Sequence, residues 1–86
     1  MPANLDTEFQ RAAAAVTQLP KRPDNDTLLK LYALYKQATA GDVSGPKPGF
    51  FDFVNTAKYE AWAHLRGMRT DDARRQYVSL VNQLGA

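Results

Sequence analysis

The 86-residue sequence predicts an all-α domain, a four-helix bundle, on three observations. Apolar residues recur at three- and four-residue spacing in four separate stretches, the mark of helices with one buried face. Proline and glycine punctuate the gaps between those stretches. No run alternates with the period of two that a half-buried strand requires.

The first helix places Leu5, Phe9, Ala12, Ala13, Val16 and Leu19 along one stripe. Asn4 is its candidate cap, Asp6 and Glu8 complement the positive end of its dipole, and Pro20 and Pro23 end it. Asp24, Asn25, Asp26 and Thr27 offer several caps for a second helix. It runs through Leu28, Leu29, Leu31, Tyr32, Leu34, Tyr35 and Ala38 and stops at Gly41. Its apolar residues cover so much of its circumference that it must touch neighbours on more than one side. Gly41 to Phe53 is the least regular stretch, broken by Gly45, Pro46, Pro48 and Gly49. A connection that long in a small domain calls for its own packing, here expected from Phe50, Phe51 and Phe53. A third helix is expected from about Asn55, with Ala57, Tyr59, Ala61, Trp62 and Leu65, to Gly67. Thr70 is the expected cap of the last, with Asp71 and Asp72 in its first turn and Ala73, Tyr77, Leu80, Val81 and Leu84 facing inward.

Composition narrows the function classes. Apolar residues make up 44% and charged residues 23%, the profile of one ordinary globular domain spanning residues 1–86. A net charge of +2 permits a phosphate-bearing partner but is far from a polybasic nucleic-acid arm. With no cysteine there is no disulfide, thiolate nucleophile or cysteine-held metal, which fits a cytoplasmic setting. Met1 to Gln10 lacks the basic start and apolar run of a secretory leader, and no stretch has the length of a membrane span.

The search for catalytic chemistry returns blanks. His64 is the sole histidine and has no cysteine or carboxylate at metal-ligand spacing, so it reads as a surface or boundary residue. Asp71 and Asp72 are adjacent on a helix and diverge, so a dipole role explains them better than an acid pair. Gly41, Gly45 and Gly49 follow no strand and precede no lysine in the frame of a phosphate loop. No catalytic residue, metal site or cofactor is expected.

A binding constellation remains. Tyr32, Tyr35 and Lys36 stand at i, i+3 and i+4 on the second helix, and no acid occupies the helical positions nearest Lys36. An unpaired ammonium beside two hydroxyl-bearing aromatics suits a phosphate and a flat heterocycle, and Lys58 on the third helix would add charge if the helices face each other. Spacing alone leaves a second reading open, in which the tyrosines are half-buried packing residues and the lysines are solvated.

Order along the chain separates the two. Leu-Tyr-Ala-Leu-Tyr-Lys-Gln-Ala-Thr-Ala-Gly-Asp at 31 to 42, Lys-Pro-Gly at 47 to 49 and Ala-Lys-Tyr-Glu-Ala-Trp at 57 to 62 resemble the acyl-CoA-binding protein family. The resemblance runs from Phe9 to Tyr77 and suggests a small single-domain member of bacterial type. It implies an antiparallel-type bundle with a shallow bowl for the ligand, long-chain fatty acyl-CoA, and no cofactor. Carried over by position, Tyr32 would bond the ribose 3′-phosphate, Tyr35 would stack on adenine, and Lys36 and Lys58 would neutralise that phosphate. Tyr77 would close the head-group site, with Arg22 a basic residue near it, while Ala13, Leu28 and Leu29 would line the acyl groove.

Departures from the family pattern fall at Thr17, where many members carry a lysine, and at Val54, Asn55 and Thr56, where a glycine and lysines are common. Tyr59 stands where many have tryptophan. The implied role is a monomeric, non-catalytic carrier. The rival classes are a helical protein-interaction module, which would show no chain-length-dependent ligand binding, and a thioesterase accessory, which would release free CoA. Nucleic-acid binding lacks a basic stripe on any helical face.

Overall fold

A computed structural model describes residues 4–85, so the reading of Met1 to Gln10 lies partly outside them. Four helices follow one another: α1 (Leu5–Ala15), extended by a 3₁₀ turn at Val16–Gln18, then α2 (Asn25–Ala40), α3 (Phe53–Ala63) and α4 (Thr70–Gln83). No strand occurs among the described residues.

Capping side chains set the first three starts. Asn4 accepts from Thr7 N at 2.8 Å and Asp24 from Thr27 N at 2.8 Å. Each meets one of the amide groups that a first helical turn leaves without an intrahelical partner. Asp52 does the same for α3, accepting from Asn55 N at 3.3 Å, so that helix begins two residues before the expected Asn55. The last helix differs too: Arg69 occupies the cap position with no side-chain bond, and the expected cap Thr70 is the first helical residue. Asp71 and Asp72 do sit in its first turn, pairing with Arg74 and Arg75 at 3.1 and 2.9 Å.

The core is formed by Phe9 and Ala12 of α1, Leu31, Leu34 and Ala38 of α2, and Ala73, Tyr77 and Val81 of α4. The broad apolar surface of α2 is explained by its neighbours, because it packs on α4 along one side and on α3 along another. Contacts between helices also fix their directions. Asp6 approaches Arg74 and Phe9 meets Tyr77, so α1 and α4 run the same way. Tyr32 meets Lys58 and Lys36 meets Trp62, so α2 and α3 also run the same way. The implied antiparallel-type bundle is therefore an up-down-down-up arrangement. Parallel neighbours need a long return path, and residues 41–52 provide it.

That path is pinned by polar contacts rather than by its phenylalanines. Trp62 Nε1 donates to Gly41 O at 2.8 Å and Tyr59 Oη to Gly45 O at 3.1 Å. The wholly buried Gln37 donates through Nε2 to Asp42 Oδ1 and to Met68 O, each at 2.8 Å. Gly41 sits at φ +81°, a conformation costly for any residue with a Cβ. Phe50, Phe51 and Phe53, expected to pack the segment, are exposed instead.

The Cα trace spans 47 × 29 × 15 Å, and its radius of gyration is 13.4 Å. A compact domain of this length would have a radius of about 12 Å. In its shortest direction the Cα trace has the depth of about two packed helices.

Candidate functional site

The groove lies where α2 and α3 run side by side. Its wall on the α2 side is Leu28, Leu29 and Tyr32, and on the α3 side Phe53, Ala57 and Lys58. Arg22, in the link between α1 and α2, stands at one margin, and the enclosed space is about 410 Å³. That is within the range of small-molecule sites, and the lining is mostly apolar with a few cations, the composition that buries a chain and orients a charged head. A smaller hollow of about 280 Å³ continues from it, sharing Tyr32 and Lys58 and reaching Pro48, Tyr59 and Trp62.

Four side chains join the two helices across this surface. Lys58 Nζ lies 5.3 Å from the centroid of the Tyr32 ring, and Lys36 Nζ lies 4.7 Å from that of Trp62. The spacing on each helix is i, i+4, so both pairs repeat one turn apart on facing surfaces. Neither lysine forms an ion pair with a carboxylate among the described residues. Each ammonium rests on the negative face of an aromatic ring, an attraction of about 0.5–1 kcal/mol at a partly exposed site. The charge is steadied but not cancelled.

Tyr35 and Tyr77 belong to a second cluster. The Phe9 ring stacks on Tyr35 at 5.6 Å and meets Tyr77 edge-on at 5.2 Å, while the two tyrosine rings are 6.0 Å apart. Tyr35 remains 43% exposed and so offers one free face. Tyr77 is buried, and that burial, with the neighbouring Tyr35, pushes its phenol above the ordinary range. Ala13 lies one turn beyond Phe9 on α1, partly buried against the core and outside the lining of the α2–α3 groove.

The structure thus joins Arg22, Leu28, Leu29, Tyr32 and Lys58 in one groove, and Lys36 beside it through Trp62. It places Tyr35, Tyr77 and Ala13 on the side towards α1 and α4. Residues that sequence reasoning passed over are Trp62 as a seat for Lys36, and Phe53 and Val54 as groove walls. The signal for Trp62 was its i+4 spacing from Lys58. Asp52, three residues before Asn55, signalled the earlier start of α3 that turns Phe53 and Val54 towards the groove.

At the departures, Thr17 Oγ1 donates to Ala14 O at 2.8 Å and so closes its own turn. Asn55 caps with Asp52, and Thr56 Oγ1 donates to Gly49 O at 3.4 Å. His64 is exposed. A further concavity between α1 and α4 is lined by both Glu8 and Arg11, so it offers no excess of positive charge to a phosphate.

Comparison with known proteins matches residues 6–81 to the family model described as "Acyl CoA binding protein". The chain belongs to the acyl-CoA-binding protein family. It is 50% identical over 76 residues to the acyl-CoA-binding protein of Saccharomyces cerevisiae, covering 88% of this chain and 87% of that one. The crystal structure of acyl-CoA-binding protein 2 from Oryza sativa superposes with a TM-score of 0.90 at 37% identity, covering 94% of this chain and 90% of that one. The same domain occurs within longer proteins. Enoyl-CoA delta isomerase 2 of Rattus norvegicus is 49% identical over 79 residues, which cover 92% of this chain and 20% of that protein. These eukaryotic relatives give no support to a bacterial type.

No helix among the described residues is long and apolar enough to cross a membrane.

Proposed function

We propose that this chain binds long-chain fatty acyl-CoA without transforming it, as a single-domain, monomeric, cytoplasmic pool former and carrier. The observation that carries the reading is that Lys36 and Lys58 sit one turn apart along two parallel helices at an apolar groove, each on an aromatic ring and neither with a carboxylate partner among the described residues. Membership of the acyl-CoA-binding family supports it.

In this reading Tyr32, Lys36 and Lys58 receive the ribose 3′-phosphate, with Lys36 and Lys58 swinging from their aromatic seats to the anion. Lysines serve here as mobile point charges, and a bidentate arginine is not required. Tyr35 offers its free ring face to adenine, and Tyr77 contributes its hydroxyl at the edge of the same region. Arg22 stands by the head group. Leu28 and Leu29 line the acyl groove, with Phe53 and Val54 opposite, and Ala13 contributes from α1.

Burial of the chain supplies most of the affinity. Each methylene removed from water contributes about 0.8 kcal/mol, so about a dozen give roughly 10 kcal/mol before the ordering costs of association. The phosphate contacts select CoA esters over free fatty acids. The activity of the longer isomerase is a property of that whole protein, and no nucleophile stands in this groove beside a base to attack a thioester.

Calorimetric titration with acyl-CoAs of increasing chain length tests the reading. Affinity should climb with each added pair of methylenes, and free CoA should appear no faster than in a heat-denatured control. Affinity that ignores chain length would contradict it.

A further inference from the structure

Phe50 and Phe51 occupy the corners of a hydrogen-bonded turn, closed by Asp52 N donating to Gly49 O at 3.0 Å. Turn corners ordinarily carry glycine, proline, asparagine or aspartate, for conformational reasons or for side-chain hydrogen bonds. Here the two corner residues are phenylalanines, each 83% exposed, their rings packed edge-on against one another at 5.1 Å. Phe53 at 71% and Val54 at 68% exposure extend the patch along the first turn of α3. Three exposed phenylalanines present several hundred Å² of apolar surface, more than a monomer scatters at random.

Around the patch the unpaired cations, Arg22 and Lys58, outnumber the one unpaired acid, Asp52. Asp52, the acid within it, is occupied as the α3 cap by Asn55, whose Nδ2 donates to it at 2.9 Å. Lys47, just before the turn, is paired with Glu60 at 2.9 Å. Arg22 and Lys58, which share the groove wall with Phe53 and Val54, pair with no carboxylate among the described residues.

We propose that the Gly49–Asp52 turn is a docking element for an anionic phospholipid bilayer, with Phe50 and Phe51 entering the headgroup–acyl boundary. Aromatic rings flanked by cations are the combination that interfacial binding uses, burial and electrostatic attraction adding together. The choice of a bilayer over a protein partner rests on the acyl-CoA reading above, since the groove walled by Phe53 and Val54 opens beside the turn. A bilayer docked there would place the groove mouth against a reservoir of acyl chains. Contact is reversible, because two rings and a few cations fall short of a stable anchor.

Flotation with vesicles tests the proposal. The wild-type protein should co-float with phosphatidylcholine–phosphatidylglycerol vesicles, less with phosphatidylcholine alone, and less again at high salt. The Phe50→Ser/Phe51→Ser variant should lose roughly tenfold or more of that partitioning, while its vesicle-free affinity for octanoyl-CoA is unchanged. The proposal is overturned if wild type stays in solution with both vesicles, or if the variant floats equally well. It is also overturned if the two phenylalanines instead hold a dimer seen by gel filtration in wild type alone. Loss of octanoyl-CoA binding in wild type would refute the acyl-CoA reading and leave the flotation result to decide docking.

Discussion

Lys58 Nζ rests 5.3 Å from the centroid of Tyr32 on the neighbouring helix, and one turn further on Lys36 Nζ rests 4.7 Å from that of Trp62. The two contacts cross in opposite senses, α3 giving the cation in one and α2 in the other. This exchange requires parallel helices, and it puts both ammonium groups over one surface. It also explains why they need no carboxylate to stay ordered.

Removing either ammonium should therefore damage binding more than folding. Lys36→Ala and Lys58→Ala should each weaken acyl-CoA by about tenfold or more, the worth of a charge-assisted bond. The melting temperature should fall by only several degrees, since each cation–π contact contributes about 1 kcal/mol or less. Calorimetry and thermal melts on the same samples check the split.

Tyr77 separates packing from contact. Tyr77→Ala removes a buried ring between Phe9 and Tyr35 and should cost about 3–5 kcal/mol of stability in urea unfolding. Tyr77→Phe keeps the ring and should unfold at nearly the wild-type urea midpoint. Its affinity for CoA should nonetheless drop if the hydroxyl closes the head-group site.

Trp62→Phe isolates the tie between α3 and the end of α2. The change keeps an aromatic face for Lys36 but deletes the 2.8 Å bond from Nε1 to Gly41 O. Stability should fall by about 1–3 kcal/mol, the cost of leaving a partly buried carbonyl unpaired. A smaller loss, measured by urea unfolding, would mean that water replaces the indole.

Acid should loosen the same corner. Bonds from Gly67 N and Gln37 hold the Asp42 carboxyl below its ordinary value, and bonds from Thr27 do the same for Asp24 at the start of α2. A carboxyl lowered in the folded state binds its proton more readily in the unfolded one. Its contribution is thus complete above the unfolded value, about pH 4, and is lost as pH falls through the lower folded value. Asp42→Asn should flatten the acid limb of a stability–pH curve, with little change near neutrality in slope.

The four helices were legible because Phe9, Leu31, Leu34, Tyr77 and Val81 repeat with helical period and every one is buried. Directions were not legible, because periodicity says which face is apolar and nothing about which way a neighbour runs. The pairs Tyr32–Lys36 and Lys58–Trp62 encode the parallel register, but only once the helices are known to face each other. Phe50 and Phe51 misled because apolar residues in a loop are expected to pack, whereas polar bonds from Gln37, Tyr59 and Trp62 hold this one. Thr70 misled because a hydroxyl beside acids resembles a cap at either of two adjacent positions. Of the site, the tyrosines and lysines could be picked out along the chain, but their division between two sides of α2 is visible only in space.

The most direct test compares CoA with 3′-dephospho-CoA on the wild type, the two lysine variants and their double. If both ammonium groups meet that phosphate, its removal should cost wild type the most affinity and the double variant almost none. Equal losses in all four proteins would mean that the phosphate lies elsewhere, and that the two lysines do nothing beyond resting on their rings.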